Sequence, residues 1–378
     1  EYEMKNKDLF KETIKGYISF FRGAPPYVFP TMKLKYVECP MSDFQYKAYL
    51  DVLKNENKIA KTKKNNIDVD LLPNNFFIGT RYVSNIVFPN KKIGDDGLES
   101  FTKMKIISDL DKYSTKFDAI MKKIESSTGK IFFYSGFKEY AGIRSFIAVL
   151  EAFGYQNYAE AGEGPKRFAV WSGDENMAYK EEIKSVFNMK KNLNGSKLKI
   201  ILGSSSIKEG VSFAGVRQVH ILEPWYNMNR IEQIIGRAVR NFSHKDLPFE
   251  KRNVQIFLHG TILNNNEEEA ADLYVYRFAE KKAIKIGEVS RILKQTAVDC
   301  LINAEQMELT YDNLKDKQDV PVEQILSTGE EIQDFKVGDV PYSSTCDYMD
   351  TCEYKCIPEN DDNEITNLKK SILQMASF

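Results

Sequence analysis

Two arginines and a glutamine stand together in Gln233-Ile234-Ile235-Gly236-Arg237-Ala238-Val239-Arg240, just after a strand-like apolar run. Guanidinium groups are planar, forked and permanently charged, so a pair at this spacing suits the oxygens of a phosphate. At about 100° per residue, Gln233, Arg237 and Arg240 fall within roughly 60° of one another on a helix. Ile231, Ile234, Ile235 and Ala238 gather on the opposite side, which marks the core face. The spacing predicts a helix through Arg240 that displays Gln233, Arg237 and Arg240 together. A solvated basic face satisfies the same pattern, and the neighbouring sequence has to separate the two readings.

A second chemical cluster is Gly203-Ser204-Ser205-Ser206-Ile207-Lys208-Glu209-Gly210-Val211-Ser212-Phe213. Three hydroxyls at the end of a strand, followed by a glycine, can bond phosphate or ribose oxygens; a serine-rich surface turn is the plainer alternative. Ser135-Gly136 closes the run Ile131-Phe132-Phe133-Tyr134, and Glu223-Pro224-Trp225-Tyr226-Asn227 leads into the arginine stretch. Asn227 or Asn229 can cap that helix. Trp225 and Tyr226 could stack on a base or pack against the helix.

The elements that must position these groups alternate. Strands are predicted at 131–134, 167–171, 199–202, 219–222 and 254–258. Helices lie between them, one with Ile143, Phe146, Ile147 and Leu150 on a face before Gly154, another over 175–190. Strands buried on both faces and separated by helices imply an α/β fold: a parallel sheet with helices on both sides. Right-handed crossovers then align the strand C-termini on one ligand-binding edge. Upstream, Ser42 is the predicted N-cap of a helix, with Gln45 as its capping-box partner. The Lys- and Asn-rich stretch 54–66 and the Pro- and Asn-containing stretch up to Gly97 are expected to be irregular, giving an insertion near 54–112. The resulting division is an end of an interlobe segment at 1–40, a lobe at 41–262, packing helices at 263–303 and an acidic, partly irregular extension at 304–378.

Composition is that of a globular protein, 42% hydrophobic and 28% charged, with net charge −1 over 378 residues. Residues 301–378 hold 17 acidic and six basic side chains, net −11, which leaves +10 on the rest. A basic body is compatible with a polyanion partner. No apolar run is long enough for a transmembrane helix, so no membrane is expected. The start without Met suggests a piece of a longer protein. Five unevenly spaced cysteines suggest free thiols in a reducing compartment. Cys346, Cys352 and Cys356 could alternatively hold zinc with a fourth ligand, although no metal site is assigned. His220, His244 and His259 are scattered, and His220 reads as a core or edge residue.

Taken in order, these motifs resemble the second RecA-like lobe of superfamily 2 helicases and translocases. Lys130 to Ser135 resembles motif IV, Ser204 to Phe213 motif V, and Gln233 to Arg240 the QxxGRxxR form of motif VI. The resemblance covers about Met41 to Gly260 and extends to the helices ending near Asn303. It implies Arg240 as an arginine finger, Arg237 as its companion at the γ-phosphate, and Gln233 as a bridge to the nucleotide or the other lobe. It also implies that Glu209, Gly210 and Ser212 lie at the nucleotide, the last two at its ribose, and that Ser204, Ser205 and Ser135 meet nucleic acid. Many relatives carry Asp at the position of Ser212. A narrower resemblance, through Ile234 to Arg240, Ser243-His244 and Leu247 to Val254, is to the helicase-like ATPases of large nucleocytoplasmic DNA viruses. These include the poxvirus early transcription factor small subunit and nucleoside triphosphatase I.

That resemblance implies ATP and Mg²⁺ as cofactors, DNA or RNA as partner, RNA polymerase or transcription-factor subunits nearby, and a place in host cytoplasm or virion. No GxxxxGKS or GxxxxGKT loop and no DExx run is found. Both belong to a first lobe, so the missing N-terminal RecA-like lobe is the further expected partner, and this chain alone is expected to be inactive. A non-catalytic RecA-like interaction module and a Snf2-like or restriction-type translocase subunit are the alternatives.

Overall fold

The computed structural model describes residues 4–23, 28–62 (backbone only over 57–62), 78–207, 211–263, 269–304, 309–314, 323–333 and 338–357. The chain divides into two compact units. The larger, Phe29–Ala279 with Glu323–Gln333, is built on a seven-stranded parallel sheet. Its strands are β1 (Thr31–Pro40), β2 (Lys130–Tyr134), β3 (Gln156–Asn157), β4 (Arg167–Trp171), β5 (Ile200–Gly203), β6 (Val216–Ile221) and β7 (Asn253–Ile262), in the order β1-β7-β6-β2-β5-β4-β3. From β2 the chain moves to β3 and β4, returns to β5, and crosses to β6 on the other flank. The reversal places a crevice at the C-terminal ends of β5, β2 and β6, where ligands of such sheets bind.

All five expected strands form. β2, β5 and β6 are buried at every position; β2 and β5 are mainly apolar on both faces, whereas β6 buries Arg217, Gln218 and His220 with hydrogen-bond partners. Phe133 stacks on Phe146 at 4.3 Å between centroids on one face. Phe132 packs against Phe213 at 5.2 Å on the other, where Phe187 also meets Phe213. The edge strand β1 was not expected. It interleaves lysines with apolar residues that stay exposed, such as Met32, Leu34 and Tyr36, so neither a buried run nor a clean alternation marks it.

The segment expected to be an irregular insertion is corrected. Helix Asp43–Thr62 runs into it as far as Thr62, and helices Ile78–Asn85, Asp95–Ser100, Lys103–Tyr113 and Thr115–Glu125 lie in and beyond the rest of its described part. Ile86, Phe88, Phe101, Ile106 and Leu110 from it join the principal core. Residues 63–77, which include the end of the Lys- and Asn-rich stretch, lie outside the described residues. Ser42 caps its helix as expected, accepting from Gln45 N at 3.0 Å. Gln45 does not close a capping box. Its fully buried side chain donates to Val83 O (3.4 Å) and accepts from Thr115 N (3.1 Å), joining three segments instead. Lys116 and Asp272 form an ion pair at 2.5 Å with both side chains fully buried, and Lys116 Nζ also donates to Asn85 Oδ1 at 2.8 Å.

The smaller unit comprises Glu1–Val28, Glu280–Val322 and Asp334–Phe378. It includes helix Lys7–Ile14 and the later part of helix Ala271–Gln295. Both cysteine expectations are corrected here. Cys300 is bonded to Cys356 and Cys346 to Cys352, so neither free thiols nor a zinc cluster forms at these positions. Folding brings the Cα atoms to 5.8 and 4.4 Å, within bridging distance, although the first pair is separated by 56 residues in sequence. Cys39 is the free cysteine and is buried. Arg291 organises the bridged segment: its Nε donates to Asp347 Oδ2 (2.8 Å), and its terminal nitrogens donate to the carbonyls of Cys346 (2.7 Å), Thr351 (2.9 Å) and Glu353 (3.0 Å).

Candidate functional site

Three strand ends converge in the crevice of the larger unit. Tyr134 of β2 pairs with Gly203 of β5 and Ile221 of β6, so Ser135, Ser204 and the Leu222–Glu223 segment leave the sheet side by side. Ser135 N donates to Gly203 O at 3.1 Å, and Leu222 N donates to Tyr134 O at 3.0 Å.

The arginine stretch follows from Asn227, which opens helix Met228–Ile235 without a side-chain cap. The helix ends sooner than its spacing suggests, and this corrects the expected display of both arginines. After Ile235 the backbone tightens, with Arg237 N donating to Ile234 O (3.0 Å) and Ala238 N to Ile235 O (2.9 Å). The regular helix stops at Ile235 and has been left altogether by Arg240, so the 100° spacing no longer relates the two arginines. Gln233 stays exposed, whereas Arg237 turns inward and keeps only 6% of its surface in contact with solvent. Arg240 is half-exposed; its Nε donates to Gly236 O at 3.2 Å and its N to Ser243 Oγ at 3.3 Å.

The loop after β5 is stitched to this turn through its backbone. Phe213 N donates to Arg237 O at 2.7 Å, and Gly215 N donates to Ser243 O at 2.9 Å. Asn188 clamps the same loop, donating from Nδ2 to Ser212 O (2.8 Å) and accepting from Ala214 N (2.8 Å). Half-buried Ser212 and the two arginines are therefore brought together. Glu209 and Gly210 lie outside the described residues. His244 seals the base. Burial lowers its pKa to about 4, so the neutral ring donates from Nε2 to Val216 O (2.7 Å) and accepts at Nδ1 from Ser243 Oγ (2.9 Å).

Of the serines expected at nucleic acid, Ser205 is exposed. Ser204 is 3% exposed, with its hydroxyl bonded to Ser206 Oγ at 2.9 Å. Ser135 is fully buried, which corrects its expected display toward a phosphate. Its hydroxyl donates to Glu223, with Oγ–Oε distances of 3.2 and 3.0 Å, and accepts from Phe137 N at 3.1 Å. Glu223 is the hub the sequence did not reveal. It accepts from Ser135, from Gly136 N and from Asn85 Nδ2. Burial pushes its carboxyl pKa up, while Arg81 and Lys116 pull it back.

Trp225 and Tyr226 take the packing role. Tyr226 is buried, and the Arg230 guanidinium lies 4.0 Å from the Trp225 ring centroid while donating to Tyr134 Oη at 3.2 Å. Arg81, Asn85 and Asn188 carried no signal in sequence, being single polar residues outside any motif. His220 is a core residue, as expected: it bonds His259 (3.1 Å) and Gln218 (3.0 Å) within the sheet.

The helicase conserved C-terminal domain matches residues 115–242. A protein of Acanthamoeba polyphaga mimivirus named "Putative ATP-dependent RNA helicase" is 47% identical over 300 residues, covering 79% of this chain and 52% of the relative. "Nucleoside triphosphatase I" of Melanoplus sanguinipes entomopoxvirus is 26% identical over 303 residues, 79% of this chain and 41% of the relative. "Early transcription factor large subunit homolog" of African swine fever virus is 26% identical over 327 residues, 71% of this chain and 28% of the relative. The chain thus spans about half the length, or less, of these relatives. The parallel sheet, the motif order along its edge and these matches agree: the chain carries a helicase conserved C-terminal domain at residues 115–242, on a RecA-like fold.

Proposed function

We propose that this chain is the second lobe of an ATP-driven nucleic-acid translocase acting in the transcription of a large DNA virus. The observation that carries this reading is the stitching of the Ser204–Phe213 loop to the Arg237–Arg240 turn through Phe213 N and Arg237 O at 2.7 Å. A bond between these two segments lets a phosphate-sensing arginine and a strand-gripping loop move as one. Half-exposed Arg240 and exposed Gln233 are open to phosphate oxygens arriving from a first lobe. Arg237 holds the loop through its carbonyl, and its guanidinium reaches phosphate only after the cleft closes.

When bound, ATP supplies the phosphoryl group whose transfer to water drives the cycle. Arg240 stabilises the charge that develops in that transfer, and closure on it pulls the Ser205-bearing loop against the strand. Among the described residues no group of three or more His, Cys, Asp or Glu side chains is arranged to hold a cation. Coordination of Mg²⁺ is assigned to the first lobe, and no step here runs through it. DNA as the polymer, transcription subunits as neighbours, and host cytoplasm or virion as the place complete the proposal. The name of the African swine fever virus relative supports the place in transcription, while the mimivirus name offers RNA as the polymer.

The test is Arg240→Ala in the complete protein. Hydrolysis is expected to fall by at least about 10³-fold while nucleotide binding, followed by equilibrium titration, stays within a few-fold. Turnover at the wild-type rate would sink the assignment.

A further inference from the structure

We infer that Arg81, outside the matched helicase domain, is a positioning residue that sets the Glu223–Asn227 loop and thereby the helix leading to Arg237 and Arg240. Arg81 lies on helix Ile78–Asn85 and is 3% exposed. Its guanidinium stands 5.4 Å from the ring centroid of Phe137, 5.5 Å from that of Trp225 and 5.5 Å from that of Tyr226. Each distance is within the reach of a cation–π contact. Its Nη2 donates to Pro224 O at 2.9 Å. One planar cation therefore touches the loop after β2 and three consecutive residues of the loop after β6.

The geometry makes this more than packing. Glu223, immediately before Pro224, is held by Asn85 from the same helix, with Nδ2 to Oε2 at 3.3 Å. Trp225 is shared between Arg81 and Arg230, and Arg230 belongs to helix Met228–Ile235. Asn227 gives that helix no side-chain cap, so its start is fixed by what holds residues 223–226. A lysine at position 81 would keep the charge but lose the fork and the planar stacking. The loop could then shift, and a displacement of about 1 Å at an arginine finger costs on the order of 100-fold in rate.

The test has a local arm and a catalytic arm. The chain holds two tryptophans, Trp171 and Trp225, so Trp171→Phe leaves Trp225 as its single reporter. In that background Arg81→Lys is expected to shift Trp225 emission to the red and to increase its quenching by acrylamide, with the thermal midpoint nearly unchanged. Unchanged emission and quenching would overturn the inference. If Arg81→Lys unfolds the chain, Arg230→Lys provides the second variant, loosening Trp225 from the helix side with the same expected shift.

The catalytic arm rests on the function proposed above. In the complete protein Arg81→Lys is expected to lower turnover by about 10- to 100-fold with KM for ATP changed less than about threefold. An emission shift with full turnover would leave the function intact and refute the positioning of Arg237 and Arg240. A wild-type protein without turnover would refute the function, and the fluorescence result would still decide whether Arg81 sets the loop.

Discussion

Arg237 and Arg240 stand three positions apart and meet solvent differently, because the helix ends at Ile235 and the chain has left helical geometry by Arg240. The QxxGRxxR spacing identifies the residues but carries no information on where the α-helix gives way to i→i+3 bonding. Buried polar residues show the same division. Ser42 was legible as a cap because capping is local, whereas Gln45 and Glu223 take partners from distant segments that no local pattern encodes. The histidines make a prediction at this scale. Burial holds His244 down to about 4 from 6.5 and His220 down to about 3. Between pH 6.5 and about 4 the unfolded chain therefore binds protons that folded His244 refuses. Stability is expected to fall as pH drops through that window, by at most about 1.4 kcal/mol per pH unit for each histidine. Urea unfolding at pH 7 and pH 5 checks this, and His244→Gln should flatten the dependence by one histidine's share.

At the scale of elements, β2, β4 and β5 were readable because burial on both faces favours short apolar runs. The margins were not: β1 carries lysines among its apolar residues, and β3 is two residues long. The helices over 78–125 were obscured by the prolines and asparagines around them, although their apolar faces complete the core. One glycine between β2 and its following helix shows how tightly the crevice is built. A Cβ on Gly142 would stand 1.8 Å from Phe137 O and 2.5 Å from Ser135 Oγ. Gly142→Ala is therefore expected to destabilise the larger unit by about 1–3 kcal/mol, the usual range for overpacking, and to displace Ser135 from Glu223. Denaturant titration reads the first effect. A lowered chemical-shift dispersion for the 135–143 amides reads the second.

For the whole molecule, the pairing of four cysteines changes how the smaller unit is held. Closing the 56-residue separation between Cys300 and Cys356 restricts the unfolded chain, an effect of typically about 2–4 kcal/mol. Reduction, or Cys300→Ser with Cys356→Ser, is expected to remove roughly that amount from the unit while leaving the parallel sheet folded. Alkylation followed by mass spectrometry should find these four cysteines protected until reductant is added. Cys39 is shielded for another reason, since burial pushes its thiol up to about 11. The sheet has one last consequence, which concerns the order of events during synthesis. β1 is the first of this sheet's strands in the sequence, yet it pairs in parallel with β7, Thr31 opposite Asn253. Until β7 leaves the ribosome, β1 has no neighbour in the sheet and presents an open hydrogen-bonding edge. Contacts so distant in sequence slow folding and prolong exposure to aggregation. The nascent chain should therefore depend on chaperones until Ile262 has emerged, and fold cooperatively only afterwards.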